Sequence, residues 1–330
     1  MKLQLLLVSI SVLVMLQEAS ASCGTATCPL YSHNYLQSGN LQVRFVYEYI
    51  NQNQIFLGSK KSFVGAFRAH PDDHDEVQTI NEGNVLQMQY GVLDRLGLLI
   101  DVPFIHREHS HIGHHDGEDH WESWNFSGIG DIVVGSQVAI LLPVDQFDPY
   151  ISLTLRAKLP TGVTDARNAE GEAAEVSLQP GSGSVDGIIG MSYRQTIFSV
   201  PTLSGDYSAF PLIAGVTYRM NGKGTDDWRF GNELVASIGP EYWFATQAAI
   251  LFQANGRFQD FADAGTTGEP RENTGGTWLY ASPGIALKLS EVFSGYAYAQ
   301  IPVYINVHGI QQASDINLRF GITAQLGLLE

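Results

Sequence analysis

Apolar residues recur at every second position through most of this chain, a period that belongs to strands and not to helices. In the segment 317–328, Leu318, Phe320, Ile322, Ala324, Leu326 and Leu328 alternate with Asn317, Arg319, Gly321, Thr323, Gln325 and Gly327. In 151–159, Ile151, Leu153, Leu155, Ala157 and Leu159 face one way, and Ser152, Thr154, Arg156 and Lys158 the other. Leu41 to Ile50 repeats the pattern, as do 84–92, 96–106, 129–141, 186–196, 207–220, 232–244, 246–258, 276–289 and 292–304. Twelve strands are predicted, within a range of ten to fourteen.

Alternation alone fits either a soluble antiparallel sandwich or a transmembrane barrel whose polar face lines a lumen. The spacing between strands separates the two. Connections at 51–83, 107–128, 161–185, 221–231, 259–275 and 305–315 are long, and those at 93–95, 142–149, 197–206, near 246 and at 290–291 are mostly shorter. Long loops at one end and short turns at the other are the asymmetry of outer-membrane barrels, and a sandwich has no reason to produce it. The expected fold is therefore an all-β antiparallel transmembrane β-barrel with short periplasmic turns and long outer loops. No segment has eighteen consecutive apolar residues beyond the N-terminus, which excludes a helical membrane protein.

The first residues support export. Lys2, an apolar run from Leu5 to Leu16, and Ala19-Ser20-Ala21 form a secretory signal pattern over residues 1–21. Residues 22–39 then read as a periplasmic segment and 40–330 as the barrel. Cys23 and Cys28, the only cysteines, are candidates for a small disulfide loop in an oxidising compartment; lipidation of Cys23 is the alternative, although Ser20-Ala21-Ser22 lacks the large apolar residue of a lipobox. The expected location is the outer membrane of a Gram-negative-type bacterium.

If the polar faces line a lumen, the charges on them become its chemistry. Arg44, Glu48, Asp101, Asp131, Arg156, Lys158, Arg194, Arg219, Glu241, Arg257 and Arg319 are the candidate lumen-facing residues. Buried acids and bases of mixed sign pair across such an interior and narrow it. Glycines such as Gly284 and Gly321 on the same faces make room.

The histidines are concentrated. His70 and His74 fall in the first long connection, and His106, His109, His111, His114, His115 and His120 at or within the second, among Glu108, Asp116, Glu118 and Asp119. Imidazole with carboxylate suits zinc, copper or nickel, so weak capture of a divalent metal in the outer loops is expected. No His-Glu-x-x-His and no twelve-residue calcium loop is present. Catalytic signatures are also lacking: there is no Gly-x-Ser-x-Gly elbow, and Gly181-Ser182-Gly183-Ser184 lacks the lysine of a phosphate loop. The acidic excess, 34 Asp and Glu against 18 Lys and Arg, excludes a nucleic-acid partner. The expected partners are outer-membrane lipid and a small solute or metal ion. Two functions compete: a channel or transporter for a small solute, and a surface metal-binding or structural protein anchored by its barrel.

Three segments carry a resemblance. Gly130-Asp131-Ile132-Val133-Val134-Gly135, then Ser152 to Gly162 ending Leu159-Pro160-Thr161-Gly162, then Gly181-Ser182-Gly183-Ser184-Val185-Asp186 occur in an order that resembles the outer-membrane barrel family described as transporters of the meta-pathway of phenol degradation. The resemblance spans about residues 85–330 and implies an outer-membrane channel or transporter. It assigns no residue to a phenolic ligand. The ending Leu328-Leu329-Glu330 departs from the terminal aromatic usual in the class.

Overall fold

The structure, a computed structural model, describes residues 37–66, 74–115, 118–267 and 270–328. The expected leader 1–21 and both cysteines lie outside the described residues, as does His70. The strands are β1 (Asn40–Leu57), β2 (Lys60–Lys61), β3 (Asp75–Leu93), β4 (Leu96–His115), β5 (Glu118–Ile129), β6 (Val133–Leu141) and β7 (Tyr150–Lys158). They continue with β8 (Asp186–Pro201), β9 (Tyr207–Met220), β10 (Glu233–Ala245), β11 (Ala248–Gln259), β12 (Gly276–Lys288), β13 (Phe293–Val307) and β14 (Ile310–Gly327). All but β2 and β5 pair antiparallel with their sequence neighbours in the ring, and β14 pairs β1, so the sheet closes into a twelve-stranded barrel.

The two faces of this sheet invert a water-soluble fold. Phe45, Leu98, Leu155, Ile189, Ile250 and Ile322 are each about half exposed on the outside. Their neighbours in the strand, such as Ser152, Gln253, Ser282 and Gln300, are enclosed within the ring. An apolar exterior around a polar interior is stable only where the solvent outside is lipid. Inside, two glycines receive aromatic rings from the facing strand. A β-carbon at Gly284 would stand 2.5 Å from the Tyr298 ring, and one at Gly321 would collide with the Tyr296 ring. Tyr296 and Tyr298 thereby pack with Ala249, Leu251, Ala286 and Trp243 at the inner end of the barrel.

The outer end differs from the expected set of loops. The segment 107–128 is mostly a β-hairpin: β4 runs on to His115, and β5 returns along it from His115↔Glu118 to Phe104↔Ile129. The inner half of β4 pairs β6 instead. The segment 129–141 is accordingly two strands, broken at 130–132 where the chain leaves β4's outer half and re-enters the ring. The last outer connection, expected at 305–315, is the two-residue turn His308-Gly309, with Gly309 at φ +55°, a backbone conformation open to glycine. At about 3.3 Å per residue and a tilt near 45°, a 20-residue strand such as β4 rises about 47 Å. The apolar band of such a barrel is only about 25 Å tall, so the outer part of β4 projects beyond the membrane.

Candidate functional site

The interior is a series of chambers. The outer one is lined by Trp228, Trp278, Tyr280, His74, Glu76, Glu175 and Gln312. The middle one is lined by Arg44, Glu48, Asp101, Asp131, Arg156, Arg219, Glu233 and Arg319, with apolar side chains between them. The inner vestibule has Arg194, Glu241, Trp243 and Lys288, and shares Gln42 and Arg44 with the middle chamber. Arg257 lines the outer chamber, and its ion partner Glu233, 2.7 Å away, lines the middle one. The guanidinium of Arg257 also sits 5.0 Å over the Trp278 ring, a cation–π contact.

Most of the interior charges are paired. Arg319 bonds Glu48, Arg156 lies 3.4 Å from Asp101, and Arg194 lies 3.2 Å from Glu241. Arg44 donates to Thr323 Oγ1 at 3.1 Å and to Gln42 Oε1 at 3.0 Å. Pairing removes most of the cost of holding a charge away from bulk water. It also leaves a mixed-sign interior with no large field of one sign.

One network reaches beyond the wall. Lys158, the last residue of β7, lies 2.7 Å from Asp131 and 3.0 Å from Asp186 and also bonds Ser182 and Ser184. Asp131 Oδ1 accepts the Gly162 N–H at 2.9 Å, and Oδ2 accepts the Ser182 N–H at 2.9 Å. Asp186 Oδ1 accepts from Ser184 Oγ and from the Gly222 N–H. Gly162 and Gly181 make this closeness possible: a β-carbon on Gly162 would stand 2.6 Å from Gly181 Cα and 2.9 Å from the Asp131 nitrogen. The three segments that carry the family resemblance therefore meet at one point. That point latches both ends of the connection 159–185.

The connection so latched folds inward. Ala174 and Leu178 pack with Trp124 and Phe126 of β5, and Val176 packs with Trp228, Phe230 and Ala262. Arg107 on β4 donates to the Leu178 carbonyl, and Trp124 Nε1 to the Glu172 carbonyl at 3.3 Å. Leu178 lines the outer chamber and Pro180 the middle one. The connection is thus a stopper across the outer mouth, with its apolar residues turned toward the walls.

The histidines stand around this stopper, chiefly on strands and not in loops. Arg107, His109, His111 and Gly113 of β4 are buried in alternation, facing inward. His109 Nδ1 lies 2.9 Å from Thr79 Oγ1, and its Nε2 lies 3.2 Å from His111 Nδ1 and 3.7 Å from Glu76. His111 Nε2 lies 2.9 Å from Glu122 on β5. His74 Nε2 lies 3.2 Å from Glu175 of the stopper and 3.4 Å from Glu76. The His74 and His111 rings stack at 4.1 Å, and a ligand atom of each lies within 4.8 Å of the other and of one on Glu175. Beyond the membrane band, burial holds the His109 and His111 imidazoles below their ordinary pKa. Burial also raises the Glu175 carboxyl, against the opposing pull of His74.

The other histidines do not join this set. His114 is held between Asp75 at 3.0 Å and Asp119 at 2.7 Å, and His106 faces Ser127 at 2.9 Å. His115 ends β4, and His120 is exposed on β5 opposite Gly113. Glu76, Glu122 and Glu175 were absent from the residues picked out in the sequence. Glu76 and Glu122 could have been reached from their histidine neighbours two residues and one strand away; Glu175 sits in Ala173-Ala174-Glu175-Val176, which carries no local mark.

No family model matches the chain, and no curated protein matches it. Solved structures do. An outer membrane channel from Pseudomonas putida F1 superposes with a TM-score of 0.62 at 12% identity, covering 90% of this chain and 100% of that one. The transport unit of the autotransporter AIDA-I from Escherichia coli gives 0.52 at 8% identity, covering 89% and 93%. At such identities the likeness is one of fold. The closed ring, the apolar belt and these two likenesses give the chain the fold of a Gram-negative outer-membrane β-barrel.

Proposed function

We propose that the chain is an outer-membrane channel for a small solute and that the imidazoles and carboxylates at its outer mouth capture divalent transition metals. The observation that carries the channel reading is the run of three chambers along the barrel interior, lined by paired charges and amides and enclosed by an apolar belt. A barrel serving only as an anchor has no need of an open chamber at mid-height lined by ion pairs and apolar side chains. The resemblance to phenol-pathway transporters agrees with passage of a small molecule; the middle chamber mixes charges with apolar side chains such as Met88, Leu99, Ile188 and Tyr296 and singles out no substrate. The metal reading is supported by the donors that meet at the stopper, where neutral imidazole nitrogen and carboxylate oxygen suit zinc, copper or nickel.

One observation favours the alternative, a surface metal-binding protein in which the barrel is an anchor. The stopper at the outer end and the Tyr296–Tyr298 cluster at the inner end both narrow the path. Conductance of the full chain in planar bilayers decides between the two. The channel reading expects discrete current steps; a correctly inserted barrel that stays silent at all voltages selects the anchor.

A further inference from the structure

We propose that His74, His111 and Glu175 form a site for one zinc-type divalent ion, and that the bound ion clamps the stopper against the barrel wall. The inference deepens the metal reading above and borrows from the channel reading only its consequence, closure of the mouth.

The three donors come from three different segments. His74 lies in the connection before β3, His111 on β4, and Glu175 on the inward-folded connection 159–185. Nothing covalent joins the middle of that connection to the wall; it is held there by packing and by bonds such as those from Arg107 and Trp124. An ion shared by these residues would add a direct bond between stopper and wall. Two nitrogens and one oxygen are the donor set of a borderline cation such as Zn²⁺, whereas Ca²⁺ and Mg²⁺ select oxygen alone. A fourth position left to water or solute would keep the ion exchangeable.

The surroundings fit such a site. Metal-bound histidines are oriented by a partner on their second nitrogen; His111 has Glu122 2.9 Å from Nε2 and His109 3.2 Å from Nδ1, so the ion would take the place of one of these and the other would orient the ring. The Trp124 ring, 4.9 Å from the His111 ring, covers one side. An opening lined by His74, His111, Glu122, Trp124, Glu172 and Glu175 gives an entry path. The separation of the donors suits a single ion. Ligand atoms around a tetrahedral ion with bonds near 2.1 Å are about 3.4 Å apart. His74 Nε2 and Glu175 Oε1 already meet that at 3.2 Å, while the whole set spans up to 4.8 Å. One ion could therefore bond all three with little rearrangement and so tie the stopper to the wall.

The test uses the full chain refolded in detergent and Zn²⁺ as the probe, with trypsin cleavage after Arg167, an exposed site on the stopper, as the readout. Zn²⁺ is expected to slow that cleavage about tenfold in the unmodified chain, an effect lost in Glu175→Gln and in His74→Gln, as expected when a metal ligand is removed. Calcium should not protect. Heat-modifiable gel mobility checks that each variant holds its barrel, and the His74 change stands in if the Glu175 change does not. Absence of zinc protection, or equal protection in the unmodified chain and both variants, overturns the proposal. A planar-bilayer arm keeps the two readings apart. A chain that conducts but gains no zinc protection loses the clamp and keeps the channel. A silent chain whose cleavage zinc slows loses the channel and keeps the site.

Discussion

Replacing Lys158 by Met should release the stopper. The Lys158 ammonium serves two carboxylates of the latch, Asp131 at 2.7 Å and Asp186 at 3.0 Å, with all three side chains no more than 10% exposed. Methionine keeps the length of the stem but removes the charge and the hydrogens donated to Ser182 and Ser184. Removing one partner of a buried ion pair costs about 3–5 kcal/mol, because the remaining charge stays desolvated and unpaired. Both ends of the connection 159–185 meet at this point, so much of that cost falls on the latched state. At about 1.4 kcal/mol per decade, the ratio of latched to released chain should fall by a factor on the order of 10² to 10³. Two assays read it: urea unfolding of the barrel in lipid vesicles, and the rate of trypsin cleavage after Arg167. The triple change Asp131→Asn, Lys158→Met, Asp186→Asn removes the orphaned charges and should recover part of the loss, the remainder reflecting the Gly162 or Ser182 N–H that an asparagine amide nitrogen cannot accept. A loss below about 1 kcal/mol, the range of a hydrated surface pair, would refute the latch as a buried element.

Other outcomes follow from the same geometry. Gly162→Ala places a methyl against the Gly181 backbone and should loosen the stopper at a cost of about 1–3 kcal/mol, seen as faster cleavage after Arg167. Gly321→Ala drives into the Tyr296 ring and should destabilise the barrel by a similar amount, about 1–3 kcal/mol in urea, whereas Gly295→Ala, whose new carbon meets nothing nearer than 3.5 Å, should be tolerated. Ile189 and Thr217 distinguish the two faces. Ile189→Lys puts a charge into lipid and should cost about 2–4 kcal/mol of folding stability, while Thr217→Lys in the middle chamber should leave stability less affected and change conductance.

How far the fold could be read from the residues depends on the solvent outside each strand. Through the membrane band one face meets lipid, so hydropathy itself alternates, and segments such as 151–159 and 317–328 stand out. Above the band both faces of a strand are polar. From Arg107 to Gly113 burial still alternates, but the inward residues are Arg, His, His and Gly and the outward ones Glu, Ser and Ile, so the hydropathy pattern is lost. That is why the β4–β5 hairpin reads as a loop in the sequence. The tight His308-Gly309 turn is hidden for another reason: after a register shift near Tyr304, Ile305 and Val307 are buried with Trp278 and Tyr280, where the alternation of Ile301 and Val303 would put them outside. The site was legible in part. Clustered histidines point to the outer mouth, yet the convergence of His74 and His111 depends on β3 lying beside β4, and Glu175 arrives through a fold of the stopper that no local pattern announces. The latch shows the converse: its three segments are recognisable as motifs, but only their meeting at Lys158 gives them a physical role.

The central claim is that solute passes through the middle chamber. Thr217 lines that chamber, so Thr217→Cys, in a chain with Cys23 and Cys28 replaced by Ser, gives a single reactive thiol on the proposed path. Single-channel current in a planar bilayer is recorded before and after a small methanethiosulfonate reagent is added. The account predicts an open-state current that drops in a step as the thiol is modified. An unchanged current from a chain whose thiol mass spectrometry finds modified would contradict it.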